Sequence, residues 1–128
     1  HRFGLYDMIM VKDNHSDYSG GVGKALENVK SYLEQTGKKL KVEAEARNLD
    51  EVKTILESGF VFRILLDNFK PEQLREAVLF IDGRCETEAS GGIVEGNVRE
   101  YALCGVNYIS MGALTHQINS LDMSLKAF

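Results

Sequence analysis

The 128-residue chain holds one proline and two cysteines, and it lacks both a long apolar run and a basic stripe. Each shortage excludes something. With Pro71 alone, little of the chain is set aside for irregular loops, so most of it is expected in regular structure. Cys85 and Cys104 are too few to staple a fold of this length, and a reducing, cytoplasmic setting is expected. No apolar stretch approaches the roughly 20 residues that span a bilayer, and no signal-peptide pattern is present, so no membrane association is expected. The net charge is −4 and the pI about 5.4, without the basic patch that nucleic-acid binding requires. At 44% hydrophobic and 27% charged residues, the chain is not a disordered tail, a collagen-like chain or a coiled coil, and its length suits one domain. It begins at His1 rather than Met, which suggests a processed piece or a fragment.

What is present is an alternation. Met8–Lys12 reads as a strand. Gly21–Gln35 has helical spacing, with Val22, Leu26, Val29 and Leu33 on one face and Gly37 as C-cap. Leu40–Glu45 alternates as a strand. Asn48 then caps a helix through Val52, Ile55 and Leu56 that stops at Gly59. Phe60–Asp67 is a third strand. Pro71 suits the first turn of a helix running to about Ile81, ended by Gly83. Arg84–Ser90, a helix over Val94–Leu103 closed by Gly105, and a strand over Tyr108–Met111 follow. A short helix is expected within Leu114–Phe128. The later strands start about every 21 to 23 residues, the length of a tight βα unit. The pattern predicts an α/β fold with a parallel sheet and right-handed crossovers.

Two architectures fit: an open doubly wound sheet, or part of a (β/α)8 barrel, a complete one needing about 250 residues. Parity favours the second. Met8, Met10 and Lys12 share a face, as do Lys41, Glu43 and Glu45; Arg63, Leu65 and Asp67; and Glu86, Glu88 and Ser90. The opposite face is apolar or small, with Ile9, Val11, Val42, Ala44, Ile64, Leu66, Cys85, Thr87 and Ala89. A doubly wound sheet has central strands buried on both sides. One apolar face and one charged face fit a partial, TIM-barrel-like sheet whose site lies at the C-terminal rim.

Candidate chemistry clusters after those strands. Lys12, in Lys12-Asp13-Asn14-His15, suits an anionic oxygen or, if desolvated, a Schiff base; otherwise it is a solvated loop residue. Glu43 reads as a structural partner of Lys12 or Lys41. Glu45 is a candidate ligand for Mg²⁺ or a sugar hydroxyl. Asp67, before Asn68, offers a second hard oxygen for Mg²⁺ or, alternatively, a helix cap. Ser90-Gly91-Gly92 suits a phosphate cradle in which glycines let the backbone approach and the next helix offers its N-terminus. Gly112-Ala113, with His116 beyond, makes a second such loop. His1, His15 and His116 are candidate acids or bases, but their spacing argues against a zinc site. Both cysteines read as small buried hydrophobes.

Six segments taken together carry a resemblance: His1-Arg2-Phe-Gly-Leu-Tyr-Asp7, Lys12–His15, Val42–Glu45, Leu65–Asn68, Glu88–Gly92 and Gly112–His116. In this order and spacing they resemble the quinolinate phosphoribosyltransferases, also called carboxylating nicotinate-nucleotide pyrophosphorylases, from His1 to about Leu125. Ala44 between the two acids is a minor departure. The resemblance implies that quinolinate and phosphoribosyl pyrophosphate give nicotinate mononucleotide, pyrophosphate and CO₂, a step of NAD synthesis requiring Mg²⁺. It implies an N-terminal sandwich domain before an incomplete barrel, in a homodimer or larger assembly. Residues 1–128 then correspond to the C-terminal part of the barrel. The sandwich and first barrel strands are not in this sequence, and the segment alone is expected to be inactive. Arg2 and Lys12 resemble the binders of the quinolinate carboxylates, with His1 beside them. Glu45 and Asp67 resemble the groups that face the ribose and Mg²⁺. Ser90, Gly91 and Gly112 resemble the phosphate-binding backbone, with Gly92, Ala113 and His116 nearby. Lys12, Glu45 and Asp67 are the expected catalytic groups.

Rival readings are a related barrel phosphoribosyltransferase acting on another base such as nicotinate, a Schiff-base lyase using Lys12, a receiver-type module with Asp13 or Asp67 as phosphoacceptor, and a non-catalytic barrel fragment.

Overall fold

The computed structural model describes residues 7–14, 18 and 20–114. Five strands form one sheet: β1 (Met8–Val11), β2 (Lys41–Ala46), β3 (Arg63–Asp67), β4 (Glu86–Ser90) and β5 (Tyr108–Ile109). All pairs are parallel, and the order in space is the order in sequence. Between the strands lie α1 (Val22–Thr36), α2 (Leu49–Ser58), α3 (Pro71–Ile81) and α4 (Val98–Ala102), and a 3-10 turn at Gly112–Leu114 follows β5.

The strand order decides between the two architectures. A doubly wound sheet reverses its order at a switch point. Here each crossover returns the chain to the next neighbouring place, as in a barrel wall. Among the described strands β1 and β5 are edges, so this is an open arc of a barrel.

Local chemistry sets the helix ends. The Asn48 side chain accepts from the Glu51 backbone N–H at 2.9 Å. The Glu51 carboxylate in turn accepts from the Arg47 N–H at 2.7 Å, closing the first turn of α2 from both sides. Pro71 opens α3, where it removes a donor that would have no helical partner. Gly37 and Gly59 end α1 and α2 in left-handed conformations. After α3 that role falls to Asp82, φ 48°, with Gly83 next.

The two faces of the sheet separate as parity predicts. Val42, Ala44, Ile64, Leu66 and Ala89 are buried under the helices, packed with Leu26, Val52, Ile55, Leu74 and Ile81. Truncating a large member such as Leu66 would cost about 2–5 kcal/mol. Cys104 is buried in this cluster and Cys85 half-buried beside it, both as free thiols. Burial pushes both thiols above their usual range.

Several boundaries differ from the sequence reading. The third and fourth strands begin at Arg63 and Glu86 rather than Phe60 and Arg84. The helix expected over Val94–Leu103 is α4, only Val98–Ala102. Its first turn is displaced because the Asn97 side chain accepts from the Val94 N–H at 2.8 Å and donates to the Gly92 carbonyl at 3.1 Å. These bonds hold 92–97 as a turn, the competition with helix that Asn side chains offer. The tail expectation falls on 115–128, outside the described residues. Among the described residues no helix is long and apolar enough to cross a membrane.

Candidate active site

Parallel register arranges the charged face in rows. Met10, Glu43, Arg63 and Glu86 lie across β1 to β4. One step toward the strand C-termini come Glu45, Leu65, Glu88 and Tyr108. Asp67 and Ser90 pair in the last row. Lys12 follows β1 directly, and Ser110 follows β5, its N–H donating to the Ala89 carbonyl at 2.9 Å. The fold therefore places Lys12, Glu45, Asp67, Ser90 and the Gly112 turn along one rim, each from a different strand.

At the β1–β3 end of the rim, Glu45 is half-buried with its pKa raised above the usual carboxylate range. Desolvation is the largest cause, followed by the negative charges of Asp67 and Asp13. A backbone hydrogen bond from Asp13 and the charge of Lys12 pull the other way and do not cancel the rise. Lys12 and Asp67 are thus both within electrostatic reach of Glu45. Among the described residues no three His, Cys, Asp or Glu side chains form a group that could hold a metal ion. Two mutually repelling carboxylates fit a hard cation that completes its shell with ligand oxygens and water, the habit of Mg²⁺.

At the β4–β5 end, Ser90, Gly91, Gly92 and Gly112 line an open cavity of about 810 Å³ whose floor includes Arg63, Glu88 and Tyr108. Gly91 and Gly92 have φ of 89° and 63°, left-handed positions that suit glycine. The sequence places the start of the following helix in this cradle. The structure corrects this: the glycines are separated from the short α4 by the 92–97 turn, and the Val94 N–H is already taken by Asn97. Any phosphate contact here belongs to loop backbone and not to a helix dipole.

The floor is an ion cluster. Arg63, 8% exposed, donates through Nε and Nη2 to Glu86 Oε2 at 3.1 and 2.7 Å, and through Nη1 to Glu88 Oε2 at 3.1 Å. The other Glu88 oxygen accepts from the Ser110 hydroxyl. The Tyr108 ring stacks on the guanidinium, 4.0 Å from its carbon. Burial works against the Arg63 charge, but the hydrogen bond to Glu86 and the fields of Glu43, Glu86 and Glu88 outweigh it and raise its pKa. Glu43, assigned from sequence to Lys12 or Lys41, has Arg63 as its register neighbour on β3. Lys41 Nζ lies 3.7 Å from the Phe62 ring centre.

A parallel arc with its polar residues along one rim has known counterparts. A model for "Quinolinate phosphoribosyl transferase, C-terminal domain" matches residues 1–126. The chain belongs to this family. It is 46% identical to a quinolinate phosphoribosyltransferase [decarboxylating] 2, mitochondrial, of Nicotiana glauca, a match covering 98% of this chain and 40% of that one. It is 44% identical to a probable nicotinate-nucleotide pyrophosphorylase [carboxylating] of Methanocaldococcus jannaschii, covering 98% and 45%. The solved structure of NadC from Streptococcus pyogenes superposes with a TM-score of 0.81 at 37% identity, covering 99% of this chain and 43% of that one. The chain thus spans less than half the length of these relatives.

Of the residues singled out in the sequence, Lys12, Glu45, Asp67, Ser90, Gly91, Gly92, Gly112 and Ala113 are described, and the strands bring them to one rim. His1, Arg2, His15 and His116 lie outside the described residues. The sequence reading missed the role of Arg63. Its signal was present: an arginine at the start of the strand that ends at Asp67, of the same parity as Glu86 and Glu88 one strand on.

Proposed function

We propose that this chain supplies the phosphoribosyl pyrophosphate half of a quinolinate phosphoribosyltransferase site. The transfer gives nicotinate mononucleotide, pyrophosphate and CO₂. The observation that carries the reading is the convergence of Glu45 and Asp67 with the Ser90–Gly92 and Gly112 loops on one rim. Ribose hydroxyls are recognised by Glu45 and Asp67, and phosphates by backbone N–H groups of the two glycine loops. Lys12 meets a carboxylate of quinolinate, a dianion that needs cations, together with Arg2 and His1. Ala113 and His116 belong to the outer part of the second phosphate loop.

Glu45 and Asp67 would hold Mg²⁺. When bound, that ion supplies positive charge against the departing pyrophosphate. The chain's own contribution is alignment and charge. Positive charge develops at the ribose carbon as pyrophosphate leaves, and carboxylates fixed near the ribose favour it. The remaining barrel strands, an N-terminal sandwich domain and a second subunit complete the quinolinate pocket in this reading. Two free thiols suit a reducing compartment such as the cytoplasm.

The test is calorimetric titration of the chain with phosphoribosyl pyrophosphate, with and without Mg²⁺, followed by Glu45→Ala and Asp67→Ala. The expected result is Mg²⁺-dependent binding that each substitution weakens about 10- to 100-fold, with no nicotinate mononucleotide formed by this segment alone. Binding indifferent to both Mg²⁺ and these carboxylates would overturn the site. Competition by nicotinate as strong as by quinolinate would move the reading to a phosphoribosyltransferase using another base.

A further inference from the structure

Asn68 follows Asp67 at the mouth of the site. Its backbone is left-handed, φ 56°, a conformation asparagine tolerates better than most side chains. Its N–H donates to the Ser90 carbonyl at 2.9 Å, tying the end of β3 to the end of β4. Its side-chain Nδ2 donates to Asp67 Oδ2 at 2.6 Å. The partner fixes the amide's orientation, because the flipped amide would set oxygen against oxygen.

The other side of the amide lies against Gly91. A Cβ at Gly91 would stand 2.3 Å from Asn68 Oδ1, 2.6 Å from its Cγ and 2.8 Å from its backbone N. The last is main chain and cannot swing away. Gly92 makes the contrast. It also has positive φ, yet a Cβ there meets nothing within 4 Å. Backbone conformation alone accounts for glycine at 92; at 91 there is a second requirement, which is space.

We infer that Asn68 is a positioning residue for the Asp67 carboxylate, and that position 91 is glycine because Asn68 fills the volume a side chain would take. The clamp couples the two loops of the site: the loop that carries the carboxylate is held against the loop that carries the phosphate backbone. Holding Oδ2 stops the carboxylate from rotating and leaves Oδ1 for the ligand. This inference rests on the role given above to Asp67.

The experiment compares the parent chain with Asn68→Gly, Asn68→Asp, Gly91→Ala and the Asn68→Gly/Gly91→Ala double variant. Asn68→Gly keeps the left-handed backbone and the N–H to Ser90 while removing the amide. Calorimetry with Mg²⁺ and phosphoribosyl pyrophosphate gives affinity, and nitrogen-resolved NMR reports the Asn68 side-chain amide without ligand. Asn68→Gly is expected to weaken binding about tenfold and Asn68→Asp further, since a carboxylate cannot donate. Gly91→Ala is expected to cost several-fold more in the parent than in the Asn68→Gly background, where the two amide contacts are gone and only the backbone strain and the contact with the residue-68 N remain. In ligand-free Gly91→Ala the Asn68 amide signals should move toward solvent-like values. Parent-like binding by Asn68→Gly, or effects of the two substitutions that simply multiply, would overturn the inference. If the parent binds no phosphoribosyl pyrophosphate, the proposed function fails. The amide signals still decide the clamp, which is refuted if Gly91→Ala and Asp67→Ala leave them unmoved.

Discussion

Glu45 and Glu88 occupy the same row of one sheet, two strands apart, on the same face. Their surroundings are opposite. Glu88 is 1% exposed, with Arg63 on one oxygen and the Ser110 hydroxyl on the other. Glu45 is half-buried beside Asp67 and Asp13, and its pKa is raised. A carboxylate removed from water must gain a cation or hydrogen bonds. The fold supplies both at Glu88. At Glu45 the opposing charge of Lys12 does not offset burial and two neighbouring acids. An electrostatic deficit maintained at a rim marks a place where a ligand supplies the complement.

The largest expected effect comes from breaking the closed half. Arg63→Met leaves Glu86 and the buried Glu88 without their shared cation, a change worth about 3–5 kcal/mol. Urea unfolding measures it. Arg63→Met/Glu88→Gln should recover a good part of the loss, because it removes a charge that would otherwise stay buried. A cost below about 1 kcal/mol for Arg63→Met would put this cluster with ordinary surface ion pairs and would dissolve the contrast between the two halves.

The open half predicts the opposite sign. Because the folded-state pKa of Glu45 is raised, the folded chain holds that proton more tightly than the unfolded chain. Its contribution to stability therefore falls as pH rises through the window above the ordinary carboxylate value of 4.5. Glu45→Gln should remove that slope and raise the melting temperature at pH 7, while weakening Mg²⁺-dependent binding. Thermal melts across pH 4 to 8 of parent and variant check it. A Glu45→Gln chain less stable than the parent at pH 7 would mean that Lys12 and Asp13 already satisfy the carboxylate.

The sequence made much of this contrast legible, for identifiable reasons. Period-two parity separated the charged face from the apolar one. Asn48 and Pro71 marked two helix starts because capping and proline chemistry act within a few residues. The partner of Glu88 was hidden because it depends on register. Parity put Arg63, Glu86 and Glu88 on one face but did not say that Arg63 lies opposite Glu86 and within reach of Glu88. The α4 start was misplaced because one Asn97 side chain outcompetes the first helical turn, a choice that periodicity does not record. The demand on Gly91 was equally hidden, since it arises from a side chain 23 positions earlier that meets it only across two neighbouring strands.

The smallest effect sharpens what closes the closed half. Ser110→Ala removes one hydrogen bond from Glu88 and leaves Arg63 in place. If the cation dominates, the loss should be about 1 kcal/mol, the scale of a single net hydrogen bond, against the several expected for Arg63→Met. The two substitutions share Glu88, so their effects should not add. In the Arg63→Met background the hydroxyl still donates to that carboxylate, and Ser110→Ala should cost more there than in the parent. Unfolding free energies of the four chains give the coupling directly. Additive losses would mean that Ser110 answers to the β5 backbone alone, through its own N–H to Ala89, and that Arg63 by itself is the closure of the floor.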